Sequence, residues 1–281
     1  MALRPVDKLV AGYLLVVTGV MVVRGGIAEA NFWWLIAMHG LVVLLLWLCG
    51  QLQAKHKLGG AIYVLYPILI APALYSELGV LSLHTDVLET FARDALVQQW
   101  EGMLFTRQIS YDWIRDAPSV FWSGVLHLAY LAYYPIVILG PVLLLARHQE
   151  ERARKVVLAT MIAFISCYVI FLLFPVAGPN YAFPHPTGPV REVWSARLVY
   201  WLLAGGSAFG TAFPSSHVSA TAAVTVALWY NCRPLAVVFT PPALLLLVGT
   251  VYCQMHYGVD AVTGLAIGLG AGWVGNRFNN P

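Results

Sequence analysis

The chain has 281 residues, of which 60% are hydrophobic and 10% charged, against roughly 25% charged in an ordinary soluble domain. The net charge is only +3, and no basic stripe with interleaved aromatics runs along the chain, which argues against a nucleic-acid partner. The charges gather between apolar runs, each near the roughly 20 residues that cross the hydrocarbon core as helix, so the composition is that of an integral membrane protein.

About eight such runs follow in order: residues 9–23, 32–50, 58–80, 120–146, 156–176, 213–230, 235–253 and 257–275. The first is preceded by Arg4 and Lys8 and followed by Ala28-Glu29-Ala30, which also admits reading it as a signal peptide with a small-residue cleavage site. Short connectors at 51–57 and 231–234 make antiparallel hairpins, and no linker is long or polar enough to separate two domains. With the N-terminus inside, the cytoplasmic segments hold Arg4, Lys8, Lys55, Lys57, Arg147, Arg152, Arg154, Lys155, Arg233 and Arg277. The other side holds Arg24, Arg93, Arg107, Arg115, Arg191 and Arg197. The excess inside predicts cytoplasmic termini. Cys49, Cys167, Cys232 and Cys253 lie in or beside apolar runs without paired ligand spacing, so buried thiols are expected, with neither disulfides nor zinc.

Two longer segments fall on the non-cytoplasmic side. Residues 81–118 mix nine charges with apolar residues and Trp, as amphipathic helices along the interface do. Residues 177–212 are rich in Gly and Pro, with Gly178-Pro179-Asn180-Tyr181 and Pro184-His185-Pro186 before Arg191, a composition that breaks helices and builds a shaped loop.

The chemistry-bearing residues come next. Phe213-Pro214-Ser215-Ser216-His217 opens the sixth run, and Pro with Ser at a helix start leaves unpaired N–H groups suited to an anion. Ser215 and Ser216 are therefore candidates to cradle a phosphate beside His217. His256-Tyr257-Gly258-Val259-Asp260 opens the last run; four residues apart on a helix, the imidazole and the carboxylate would share a face. A carboxylate on one ring nitrogen fixes the tautomer and makes the other nitrogen the nucleophile. Between the two histidines the chain crosses the membrane, turns at 231–234 and returns, so both reach the same side, and Pro241-Pro242 offers the longer return leg a place to bend. His256 as nucleophile, Asp260 as its orienter and His217 as general acid and base make a phosphoryl-transfer site that needs no metal and no cofactor.

At these residues the sequence resembles the type 2 phosphatidic acid phosphatase superfamily. Its second motif, Pro-Ser-Gly-His, is matched by Pro214, Ser215, Ser216 and His217, and its third ends in His and Asp, matched by His256 and Asp260. Phe174 to Pro179, Ala129 to Pro135, and Thr250 to Gly264 look like the branch holding the inositol phosphorylceramide synthases (inositolphosphotransferases) and their bacterial relatives. The resemblance covers residues 86–275. The apolar runs predict an all-α, polytopic transmembrane helical bundle of about eight helices, with interfacial amphipathic helices at 81–118, and the resemblance implies a six-helix catalytic core within it. Residues 1–57 would form an N-terminal pair of transmembrane helices and 58–281 the catalytic domain. The expected setting is a bacterial inner membrane, with the site facing the extracytoplasmic side and a lipid phosphate as partner.

The chain departs from the pattern where the family carries basic residues. The first motif, a Lys and an Arg-Pro seven residues later, has no clear counterpart. Asn180 stands where bacterial relatives often have Arg, Thr250 stands six residues before His256, and Gln254 stands just upstream of it. Each missing guanidinium removes charge-assisted contacts of roughly 1.5–3 kcal/mol. Arg191 and Arg197 are the candidate replacements, with Asn180 and Tyr181 beside them. So few cations suit a singly charged diester better than a monoester dianion. They also leave open a second class, a non-catalytic lipid-binding or lipid-translocating protein. His39 and His127 are read as packing residues, His185 as a surface residue, and Glu101 as structural.

Overall fold

The structure, a computed structural model, describes residues 3–23, 30–53, 57–82 and 86–278. Arg24, Ala28, Glu29 and Lys55, which entered the charge and cleavage readings, lie outside these. Apart from one isolated bridge between Val176 and Thr211, the regular structure among the described residues is helical. In chain order it comprises α1 Pro5–Val23, α2 Ala30–Gln53, α3 Lys57–Ser82, α4 Val87–Phe105, α5 Ile109–Asp116, α6 Val120–Leu131, α7 Tyr133–Ala146, α8 Glu150–Leu173, α9 Pro179–Ala182, α10 Pro189–Glu192, α11 Trp194–Gly206, α12 Ser216–Asn231, α13 Arg233–Tyr252 and α14 Gly258–Arg277.

Six of these, α1, α2, α3, α8, α13 and α14, are long and apolar enough to cross a membrane, and α6 with α7 passes as a pair bent by 43°. The bend has a local cause: Pro135 has no N–H to offer the carbonyl of Leu131, where α6 ends. The remaining predicted run is α12, which has only 16 residues. It is enclosed by the others along most of its length. The result is a polytopic helical bundle and an integral membrane protein.

Several boundaries differ from the sequence reading. α8 starts at Glu150, ahead of the predicted run, because Glu150 and Glu151 suit a first helical turn and Arg154 pairs with Glu150 at 2.7 Å. α12 starts at Ser216, with extended Ser215 as its cap. α13 runs through Pro241 and Pro242 as one helix of 20 residues, against 16 in α12. Cys232, at the α12–α13 turn, is half-buried, while Cys49, Cys167 and Cys253 are buried; all four are free thiols.

α14 meets α12 along a seam of small residues. A methyl added at Gly264 would lie 2.4 Å from the Ser215 carbonyl oxygen, one at Gly268 2.4 Å from that of Ser219, and one at Gly272 2.6 Å from Val226. Recurring every four residues, these glycines let the backbones touch, as small residues do in membrane helix pairs. The seam also sets the two helix starts side by side: the Ser215 N–H donates to the Asp260 carbonyl at 3.0 Å.

α4 turns the expected amphipathic pattern inside out. Its buried stripe is Thr90, Asp94, Val97 and Glu101, while Leu88 and Met103 are each 79% exposed. The polar stripe therefore faces protein, where the buried carboxylates find backbone donors, and the apolar residues face outward.

Candidate active site

α13 ends in a turn that delivers His256. Gln254 adopts a left-handed conformation with φ 59°, the Gln254 N–H donates to the Val251 carbonyl at 3.0 Å, and the Met255 N–H donates to that of Thr250 at 2.9 Å. This is a Schellman closure with Gln in the position Gly usually fills. The side chain of Gln254 offsets the strain: its Nε2 donates to the carbonyls of Pro179 and Pro184, each at 3.1 Å, and its Oε1 accepts from Arg115 at 2.8 Å. Thr250 is buried, and its hydroxyl donates to the Leu247 carbonyl at 2.8 Å.

His256 leaves this turn two residues before the first residue of α14, with Tyr257 as the cap. The sequence reading placed His256 and Asp260 on one helical face; instead Asp260, in the first turn, reaches back. Its Oδ2 accepts the Tyr257 N–H at 2.8 Å and lies 3.4 Å from His256 Nδ1. The nearer partner of Nδ1 is the Ala212 carbonyl at 3.0 Å. A carbonyl only accepts, so Nδ1 carries a proton, and in the neutral ring that tautomer leaves the lone pair on Nε2. Both oxygens thus orient the ring, with the backbone one closer.

His217, the second residue of α12, packs against the rings of Tyr130 and Tyr133, 4.8 and 4.4 Å away by centroid. Its Nε2 is 3.3 Å from the Tyr130 hydroxyl. The two histidine rings are 6.0 Å apart, and both line a cavity of about 550 Å³. Ser216 and Asn180 line it as well. Ser215 does not: it is buried, and its hydroxyl accepts the Val218 N–H at 3.4 Å as the helix cap. Arg191 is stacked on Tyr200 at 4.4 Å and Arg197 is exposed, and neither is part of the cavity wall. Among the described residues the wall contains no Lys, Arg, Asp or Glu; its polar groups are hydroxyls, the Asn180 amide and the two imidazoles. The described residues also hold no group of three or more His, Cys, Asp or Glu placed to share a metal ion.

Two carboxylates of α4 hold the loops around this cavity. Asp94 accepts the N–H groups of Ala177 at 2.7 Å and Gly178 at 2.8 Å and the Tyr257 hydroxyl at 2.9 Å. Glu101 accepts the N–H of Ser110 at 2.7 Å and of Gly258 at 2.8 Å, joining the starts of α5 and α14. Burial pushes both carboxyls above the usual carboxylate range, against the hydrogen bonds they accept. Gly178 has φ +92°, and a methyl there would lie 2.6 Å from Ala212 Cβ, so only Gly lets this loop pack against the residue that orients His256. The sequence reading did not single out Asp94, Tyr130 or the Ala212 carbonyl. The spacing of Thr90, Asp94, Val97 and Glu101, a single helical stripe, was the available signal for the first.

His127 and His185 stand apart. His127 is buried with Nδ1 2.8 Å from the Ser123 carbonyl, and exposed His185 packs its ring 5.5 Å from that of Tyr200. No curated protein and no solved structure matches the chain. The chain belongs to the PAP2 superfamily, whose sequence model matches residues 95–274, from within α4 to near the end of α14, including His217, His256 and Asp260.

Proposed function

We propose that this protein cleaves a phosphate ester of a membrane lipid by double displacement. His256 Nε2 attacks phosphorus to form a phosphohistidine, and the P–O bond to the leaving group breaks as His217 protonates the departing oxygen. An acceptor hydroxyl then attacks the phosphohistidine, giving its proton to His217, and the P–N bond breaks. Water as acceptor makes the enzyme a phosphatase, and a lipid or polyol hydroxyl makes it a phosphotransferase. Asp260 and the Ala212 carbonyl hold the Nδ1 proton so that the nucleophilic nitrogen faces its task. The observation that carries the reading is the pair of imidazoles 6.0 Å apart on one cavity wall, one of them with its Nδ1 proton bound to a carbonyl.

The charge-free wall favours a singly charged phosphodiester and hence transfer of a phospho-headgroup, in line with the resemblance to inositol phosphorylceramide synthases. Ser216 and the first N–H groups of α12, with the Asn180 amide, would take the phosphate oxygens; Arg191 and Arg197 would act from outside the wall, and Ser215 by capping α12. The membrane is expected to be a bacterial inner membrane, with cytoplasmic termini and the site on the opposite side. The same lack of cations favours the second reading, a lipid-binding or lipid-translocating protein, although such a protein has no use for a general acid.

The test is to incubate the purified protein with a panel of labelled phospholipids and phosphatidic acid, with and without lipid and polyol acceptors, beside His256→Ala. Released phosphate or exchanged headgroup, an acid-labile phosphoprotein in the wild type, and their loss in His256→Ala are expected. A wild type that yields none of these products from any member of the panel removes the catalytic reading.

A further inference from the structure

α3 lies outside the stretch matched by the family, yet it forms one wall of the cavity through Pro72, Tyr75, Ser76 and Gly79. Tyr75 reaches from it to the segment that leads into Ala212. The Ala208 N–H donates to the Tyr75 hydroxyl at 3.2 Å, the Tyr75 and Thr211 hydroxyls are 2.8 Å apart, and the Thr211 hydroxyl donates to the Ala208 carbonyl at 2.7 Å. Since the Thr211 proton is committed to that carbonyl, the Tyr75 hydroxyl must donate to Thr211 Oγ1. The bonds close a cycle in which every donor has an acceptor and each link polarises the next. Thr211 also bridges Val176, and the Ala212 N–H donates to the Val176 carbonyl at 3.0 Å. Residues 208–212 are thereby fixed from two sides, and the next carbonyl, that of Ala212, is the one 3.0 Å from His256 Nδ1.

We infer that Tyr75 is a positioning residue for His256, acting through Thr211 and the Ala212 carbonyl, so that α3, within the catalytic domain expected from sequence but outside the stretch the family model matches, helps to place the nucleophile. The inference rests on His256 being the nucleophile proposed above. The ring of Tyr75 has a separate packing role against Tyr168, with centroids 5.9 Å apart, and Tyr75→Phe preserves it while deleting only the hydroxyl. A carbonyl free to drift leaves the imidazole free to turn, and small misplacements of a reacting group cost rate more than binding.

The test uses the full chain in detergent with phospholipid mixed micelles, comparing wild type, Tyr75→Phe, Thr211→Val and the double variant. Each single variant is expected to lower kcat about tenfold, with KM within about twofold. The double variant should be no slower than the worse single one, because both break one cycle. Amide hydrogen exchange over residues 207–213 should quicken in each variant, while that of α8 and α14 stays unchanged. An unchanged kcat in Tyr75→Phe, multiplied defects in the double variant, or a lowered kcat with unaltered exchange at 207–213 overturns the inference. If the wild type turns over no phospholipid, the proposed function fails, and the positioning of His256 for that chemistry falls with it. The exchange data then decide separately whether the hydrogen-bond cycle exists.

Discussion

The N-terminal helices and the family-matched core are built on different tolerances. At Gly12, Gly19, Gly40 and Gly60, in α1 to α3, an added methyl meets nothing within 4 Å, whereas at Gly264, Gly268, Gly272 and Gly275, in α14, it falls 2.4–2.7 Å from a neighbour. Burial is extreme at one helix of each region, with 28% of the α2 span enclosed within the protein against 72% of the α8 span, while α3 and α13 are equal at 44%. The N-terminal helices share the apolar core of α8 through Val10, Val17, Val64 and Leu74, and polar groups fasten them besides. Arg4 pairs with Asp7 at 2.9 Å while Tyr66 donates to the same carboxylate at 2.5 Å, and His39 lies 3.4 Å from Glu77. The core is fastened along whole seams. The histidines sit where two seam helices begin, so their separation inherits the precision of backbone contact. α3 belongs to both regimes, loosely packed at Gly60 yet reaching the cavity wall at Tyr75.

Four substitutions probe that contrast, from the largest effect to the smallest. His217→Ala should lower turnover by roughly 10²–10⁴, the usual share of a positioned acid–base group, and a rate within a few-fold of wild type would remove His217 from the chemistry. Asp94→Ala strands three donors that now converge on one carboxylate. The expected cost is about 3 kcal/mol or more, seen as a lower Tm in detergent and faster proteolysis at residues 177–182. Gly268→Ala should cost about 1–3 kcal/mol by overpacking the seam, while Gly19→Ala in α1 should be neutral or stabilising by up to about 1 kcal/mol. Equal Tm shifts from the two would mean that the seam is no tighter than the periphery.

The smallest effect concerns pH. Because burial raises the native carboxyls of Asp94 and Glu101, the folded state holds their protons to higher pH than the unfolded chain does. Their contribution to stability is full below the unfolded carboxylate value of about 4 and is lost as pH rises through the raised native values. A Tm profile over that window should therefore fall with rising pH in the wild type and flatten in the double variant Asp94→Asn with Glu101→Gln. A profile that keeps its slope would assign it to other groups.

Much of this was legible in the sequence, for reasons specific to membranes. Runs of apolar residues near 20 long fix the helices, since an unbroken run of that length satisfies its own backbone in lipid as a helix, and the α12–α13 hairpin between His217 and His256 brings both back to one end. The all-helical bundle and the membership of the superfamily followed from those patterns and motifs. What sequence spacing did not contain is which groups meet at the site. The His256–Asp260 spacing suggested a shared helical face, but a Schellman turn at Gln254 puts the histidine ahead of the helix and gives the closer Nδ1 contact to a backbone carbonyl 44 residues away in sequence. Arg191 and Arg197 were reasonable candidates by side and position, yet neither reaches the cavity wall, and the wall carries no charge among the described residues. Asp94, Glu101 and Tyr75 act through hydrogen bonds to backbone distant in sequence. Local periodicity places a residue on a face; only the tertiary fold decides which distant carbonyl or N–H that face will meet.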